Sequence, residues 1–174
     1  MTALPGERFP SPVGIPLFPD PPPAGRPLTL READEHDMPE LVRVDREVFP
    51  EDPYPYFVLR QLVDVHAGQL LVLADGRRLH GYVLFVNSPR MKGSWVMSLG
   101  VTRDQRGRGL GRRLMSEVLE RLRAEGVRDV RLTVEPANAP AIMLYRSLGF
   151  TAGEEVRRDY FGPGEDRIVM ELRL

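Results

Sequence analysis

Residues 94–122, SWVMSLGVTRDQRGRGLGRRLMSEVLERL, constrain the fold of this chain more than any other stretch. The stretch opens as an apolar run, crosses the polar residues TRDQ, and sets glycine at positions 107, 109 and 111. Leucine or valine then recurs at 110, 114, 118 and 122. The first run reads as a strand and the last as the apolar face of a helix, so the chain passes from strand to helix through a glycine turn. The first N–H groups of a helix lack internal partners and carry partial positive charge, and glycine puts no Cβ in front of them. Such a unit is an anion site, with Arg106, Arg108, Arg112 and Arg113 adding charge at its rim.

Two nucleotide loops are excluded by spacing. A P-loop requires Gly-Lys-Ser/Thr after its second glycine, and the dinucleotide fingerprint requires G-x-G-x-x-G, whereas this loop is G-x-G-x-G. Nucleic acid is disfavoured as a partner, because 24 basic residues are balanced by 25 acidic ones and the chain has a single Trp.

The glycine unit sits inside an alternating layout. LTLRE is a short strand. Asp37 and Glu40 are spaced as a capping box ahead of Leu41, Val44 and Val48, giving a first helix to about Phe49. FVLRQLVDVHAG reads as a second helix stopped by Gly68. Two strands then flank Asp75-Gly76, a hairpin signal. After the glycine unit, with Gly126 as the stop of its helix, VRDVRLTVE is a strand. Asn138–Leu148 is a helix stopped by Gly149, and two last strands join near GPGED. The order β-α-α-β-β-β-α-β-α-β-β predicts an α/β fold with one mixed central sheet of about seven strands flanked by four helices.

Residues 1–27 hold nine of the 17 prolines and read as an arm preceding a single domain over 28–174. The absence of Cys removes thiolate chemistry and disulfides. With no long apolar run and no leader-like N-terminus, the expectation is a cytoplasmic protein with no membrane partner. Monomer and homodimer both stay open.

From Arg106 the loop reads R-x-x-G-x-G, which resembles motif A of the GNAT superfamily of acyl-CoA-dependent N-acyltransferases. A second segment, NAPAIMLYRSLGF at 138–150, is similar to that family's Asn, apolar helix with Tyr, and Leu-Gly-Phe. The resemblance covers residues 28–174. It implies acetyl-CoA as co-substrate and no metal, with the pyrophosphate on the N–H groups of Gly107, Arg108, Gly109, Leu110, Gly111 and Arg112, and Arg106 in the same cofactor-binding set. It also implies that the strands SWVMSLGV and DVRLTVE part, leaving Leu99, Gly100 and Val101 beside the pantetheine. A backbone N–H near Ser98 or Leu99 would support the developing oxyanion. Asn138 is an N-cap by position, and the resemblance adds a contact to the pantetheine region.

The same resemblance makes Tyr145 the general acid; its ordinary pKa of about 10 lies near that of the departing thiol. The family's base is often a Glu on the strand entering motif A, yet Ser94-Trp95-Val96-Met97-Ser98 carries no carboxylate. Glu47, Glu51 and Asp52 are candidates elsewhere, and the base is left unassigned. His36, His66 and His80 read as surface or core residues.

For the acceptor, the segment FPEDPYPYF offers Tyr54 and Tyr56, which can hold an amine by cation–π contact. The end of the chain resembles ribosomal-protein N-terminal alanine acetyltransferases through Asp159, Tyr160, Phe161, Glu165, Asp166 and Met170, so Tyr160 joins the acceptor set. The expected activity is acetyl transfer from acetyl-CoA to a primary amine by direct attack in a ternary complex, with a peptide N-terminus as acceptor. A small-molecule amine is the alternative, and a non-catalytic acyl-CoA-binding module the other class.

Overall fold

The computed structural model describes residues 27–88, 93–153 and 155–174. Residues 1–26, nearly all of the proline-rich arm, lie outside the described residues. Strand β1 is Thr29–Glu32, followed by helices α1 (Met38–Val48) and α2 (Tyr56–Val65). Strands β2 (Leu70–Asp75), β3 (Arg78–Ser88) and β4 (Gly93–Val101) lead to α3 (Leu110–Ala124). Then come β5 (Asp129–Val134), α4 (Ala139–Ser147), β6 (Thr151–Ala152) and β7 (Ile168–Arg173). The expected α/β class, element order and mixed seven-stranded sheet are all observed, with strands arranged β1-β2-β3-β4-β5-β7-β6. Every neighbouring pair is antiparallel except β4 and β5, the two strands joined through α3.

The helices divide between the faces of the sheet. Leu110, Leu114, Val118 and Leu122, the stripe that marked α3, are buried together with Leu71, Val83 and Phe85 of the sheet. On the opposite face Leu41 and Val44 of α1 and Leu59 and Val63 of α2 bury Leu70, Val72, Tyr82 and Leu84. Strand β2 supplies both layers through alternate residues, which is why it reads as an unbroken apolar run. The turn from β2 to β3 is closed by the Asp75–Arg78 pair, with Gly76 at φ 64° in the left-handed region that a tight hairpin needs.

Three local expectations change. The capping box is one turn earlier than Asp37/Glu40: Asp34 accepts the His36 N–H at 2.8 Å, and Asp37 accepts the Asp34 N–H at 2.9 Å. Asp37 is held there by Arg31, whose Nη2 lies 2.7 Å from Oδ1. Glu40 reaches sideways instead, binding Arg43 at 2.8 Å and accepting the Leu79 N–H of β3 at 3.1 Å. Helix α2 stops at Val65, where His66 leaves helical backbone at φ −121°; Gly68 lies in the short 3-10 turn beyond it. Strand β6 is only two residues long, because the chain folds into a turn-rich connection closed by the Arg157–Arg167 bridge. Gly126 and Gly149 do end α3 and α4, at φ 73° and 94°.

Asp34 caps the 3-10 turn Glu35–Asp37 that leads into α1, and Asp34→Ala is expected to lower unfolding free energy by about 1 kcal/mol in urea titrations.

Candidate functional site

Strand β4 is paired unequally on its two sides. Its pairing with β3 continues to the Gly81–Val101 pair, but its parallel register with β5 ends at the Val96–Leu132 pair. On its other edge β5 pairs with β7 throughout, and Thr133 and Val134 keep only that pairing, to Val169 and Ile168. Among the described residues, no strand pairs with Met97–Val101 on the β5 side of β4. The parting begins at a bulge: Leu84 pairs with Ser98 and Phe85 with Val96, so Met97 is an extra residue in β4. A bulge bends a strand and increases its twist, which turns the end of β4 away from β5. Leu99, Gly100 and Val101 all fall on this unpaired section.

The glycine loop lies at the end of that open edge. Gly107 (φ 75°) and Gly109 (φ 76°) adopt left-handed backbone, and a Cβ built on either would meet nothing within 4 Å. Space in front of the first turn of α3 is thus open. Gly109 is the N-cap and has no side chain to bond the helix N–H groups, so those of Leu110, Gly111 and Arg112 remain available to an anion. Gly111 does a different job, since a Cβ there would come 3.3 Å from the Leu144 side chain of α4, a tight contact that lets the two helices approach closely. The arginines are secured by local partners: Arg106 Nε donates to the Val101 carbonyl at 3.1 Å, Arg108 to Gln105 Oε1 at 2.5 Å, and Arg112 to Ser147 Oγ at 2.6 Å. This open, glycine-lined helix start fits a pyrophosphate and the unpaired edge of β4 fits an extended amide chain, which are the two parts of coenzyme A.

Helix α4 carries the second motif. Asn138 is its N-cap, with Oδ1 accepting the Ala141 N–H at 3.2 Å. Tyr145 is buried on the α3 side of the sheet, its ring edge-on to Phe150 at 6.0 Å. Burial pushes its phenol up to about 12, so it stays protonated throughout the neutral range and is a weaker acid than its ordinary value implies.

The acceptor-side residues are separated by the structure. Tyr54 packs into the layer between α1 and the sheet, and burial followed by the Asp45 charge raises its phenol. Tyr56 and Phe57, at the start of α2, are 59% and 64% exposed. Tyr160 lies under the Arg157 guanidinium, 5.6 Å from its ring centre, and beside Phe161. Glu47 is occupied, accepting the Arg103 N–H at 2.9 Å and pairing with Arg43, so it fastens the loop before the glycines to α1. Glu51 and Asp52 are exposed. His36 and His80 pair with Asp34 and Asp75, His66 with Gln69, and no group of metal-ligating side chains occurs among the described residues.

One buried constellation was not anticipated. Asp45 of α1 is fully buried; its Oδ2 accepts the Tyr54 N–H at 2.7 Å and its Oδ1 the Tyr82 hydroxyl at 2.5 Å. The Tyr82 oxygen in turn lies 2.9 Å from Ser98 Oγ on the open section of β4. Burial raises the Asp45 carboxyl, and burial together with Asp45 raises the Tyr82 phenol well above its ordinary value. The sequence did hold a signal: Leu41, Val44, Asp45 and Val48 are spaced as one helix face, and an Asp inside an apolar stripe demands a partner. A surface concavity of about 450 Å³ lined by Asn87, Ser88, Gly93 and Glu125 lies at the other end of β4 and is separate from this cleft.

With this geometry in place, the model of the acetyltransferase (GNAT) family matches residues 30–150. The chain belongs to that family, and it is an acetyl-CoA-dependent N-acetyltransferase. It is 28% identical over 161 residues to the N-alpha-acetyltransferase of Sulfurisphaera tokodaii, covering 86% of this chain and 95% of that one. It is likewise 28% identical over 162 residues to the L-methionine sulfoximine/L-methionine sulfone acetyltransferase of Pseudomonas aeruginosa, covering 84% and 94%. Among solved structures, the ribosomal-protein-alanine N-acetyltransferase of Brucella melitensis aligns with TM-score 0.71 and 26% identity over 84% of this chain and 100% of that one. A Salmonella typhimurium acetyltransferase solved with acetyl-CoA aligns with TM-score 0.71 and 24% identity over 85% and 94%. No helix among the described residues is long and apolar enough to cross a membrane.

The buried phenols set an alkaline limit on stability. Tyr145 is held near 12 when folded and titrates near 10 when unfolded, so the folded chain keeps a proton the unfolded chain loses. Its contribution is complete below about pH 10 and declines as pH rises toward 12, by about 3 kcal/mol in all. Urea titrations between about pH 8 and about pH 11 are expected to show this decline, reduced in Tyr145→Phe.

Proposed function

We propose that the amine acetylated by this enzyme is the N-terminus of a peptide or protein. The observation that carries the catalytic part of the reading is the parting of β4 from β5 in front of the glycine-capped start of α3. In this reading the N–H groups from Gly107 to Arg112 hold the pyrophosphate of acetyl-CoA, and the free edge of β4 at Leu99, Gly100 and Val101 takes the pantetheine amides. Asn138 supports that arm. The bound co-substrate supplies an activated acetyl thioester; the protein's part is to orient it, receive the amine and protonate the departing sulfur. Tyr145 is the proton donor, its phenol kept neutral by burial.

A peptide acceptor is supported by the likeness to N-alpha- and ribosomal-protein-alanine acetyltransferases, and by outward aromatic surface at Tyr56, Phe57, Tyr160 and Phe161. Aromatic surface of this kind suits the side chains and backbone that follow a peptide's first residue. The similarity to the methionine sulfone acetyltransferase favours a second reading in which the acceptor is a free amino acid derivative.

The test is thiol release from acetyl-CoA with peptides beginning in Ala, Ser or Met, against methionine sulfone, spermidine and an aminoglycoside. Turnover of peptides above the small amines supports the proposal; turnover of small amines alone overturns it. In the same assay Tyr145→Phe is expected to lower kcat by about a hundredfold with little change in acetyl-CoA affinity. Gly109→Ala and Gly109→Glu carry the same backbone penalty at φ 76°, but only Glu adds charge at the helix start. Acetyl-CoA binding by calorimetry is expected to weaken at least about tenfold more in the Glu variant, and equal affinities would reject the pyrophosphate assignment.

A further inference from the structure

The hydrogen-bond chain from Asp45 to Ser98 has a direction that its chemistry determines. A carboxylate only accepts hydrogen bonds, and Asp45 already accepts from the Tyr54 N–H and from Tyr82. Tyr82 has one proton, so giving it to Asp45 leaves only lone pairs for Ser98, 2.9 Å away. With Asp45 ionised, Ser98 is therefore the donor in that bond. Its own single proton then points inward, and only lone pairs remain on Oγ.

Position makes this outcome functional. Asp45 and Tyr82 are both 0% exposed, whereas Ser98 keeps 9% of its surface open, so Ser98 is the one member of the three with open surface. Ser98 lies next to the Met97 bulge, where β4 has lost β5. It also lies on the sheet face covered by α1 and the connection to α2, because its partner Tyr82 packs against those elements. Gly100 makes room for the arrangement, since a Cβ there would come 3.3 Å from the Tyr82 ring and 3.2 Å from Val48.

We propose that Ser98 Oγ binds the acceptor amine by accepting one of its N–H bonds, with Tyr82 and Asp45 as positioning residues that keep Ser98 turned as an acceptor. An attacking amine presents N–H groups and one lone pair; fixing an N–H on Ser98 orients the lone pair. The strand entering the glycine loop carries no carboxylate, and this chain places one two hydroxyls behind the surface, where its charge polarises Ser98 without contacting the substrate. The inference rests on the N-acetyltransferase activity and holds for a peptide or a small amine.

Two substitutions read the direction of the chain. Asp45→Asn is isosteric: its amide oxygen must face the Tyr54 N–H, so its NH2 faces Tyr82 and donates. Every bond survives but the polarity reverses: Tyr82 now donates to Ser98, whose Oγ keeps one lone pair instead of two and whose own proton is free to turn toward the amine. Ser98→Ala removes the acceptor, and Ser98→Thr restores it. With acetyl-CoA saturating, kcat/KM is measured for an Ala-initiated peptide, methionine sulfone and spermidine, alongside acetyl-CoA affinity and thermal unfolding. Ser98→Ala and Asp45→Asn are expected to lose about tenfold or more in kcat/KM for each amine the wild type acetylates, at unchanged acetyl-CoA affinity. Ser98→Thr is expected to stay near wild type. Wild-type kcat/KM in Ser98→Ala, or in Asp45→Asn that remains folded, overturns the proposal. Should Asp45→Asn unfold, the Ala and Thr pair at Ser98 decides alone. Wild-type activity on the small amines without activity on the peptide defeats the peptide reading and leaves the Ser98 comparison intact.

Discussion

The site depends on a strand that must stay straight after losing a neighbour. Past Val96, β4 has β3 on one edge and, among the described residues, no strand on the other, while the backbone groups of the free edge still require partners. What keeps the strand in place comes from α1. Val48 and Tyr82 close over Gly100, Asp45 and Tyr82 hold Ser98, and Glu47 ties down the Arg103 N–H just beyond the strand. The N-terminal helix thus acts on the cofactor half of the fold from behind, without contributing a residue to the glycine loop.

The three glycines of the loop show that one sequence pattern can serve separate physical needs. Gly107 and Gly109 are there for backbone that L-residues adopt at a cost, in front of open space. Gly111 is there for the contact with Leu144, by which α3 and α4 are seated on each other. That contact joins the two motifs: a side chain at 111 would crowd Leu144 on the helix that carries Tyr145.

Legibility in the sequence followed the range of the interaction. The α3 stripe, the stops at Gly126 and Gly149 and the hairpin at Gly76 are local, and they were readable from spacing alone. The capping box was ambiguous because Asp34/Asp37 and Asp37/Glu40 satisfy the same three-residue spacing; only the reach of Arg31 to Asp37 and of Glu40 to β3 separates them. Gly68 marks a later stop for the second helix than the one observed, because backbone geometry at His66 ends it sooner. Least visible was the Asp45–Tyr82–Ser98 chain, which joins residues 37 and 16 positions apart. Asp45 stood out of place in an apolar stripe, but its partners are set by the register of β3 on β4, and residue spacing along a single helix carries no information about that register.

An unpaired strand edge is a binding surface for any extended chain, including a neighbouring copy of the same protein. Here the edge lies inside the sheet, walled by β5 as it diverges, and at its far end the Arg106 side chain occupies the Val101 carbonyl. An intruding strand would need a run of consecutive free backbone groups, and it meets a bulge at Met97 and a capped carbonyl at Val101, only four residues apart. The gap is long enough for a slender amide arm and too short for a strand of ordinary length. The same irregularities that open the sheet therefore guard it against self-association.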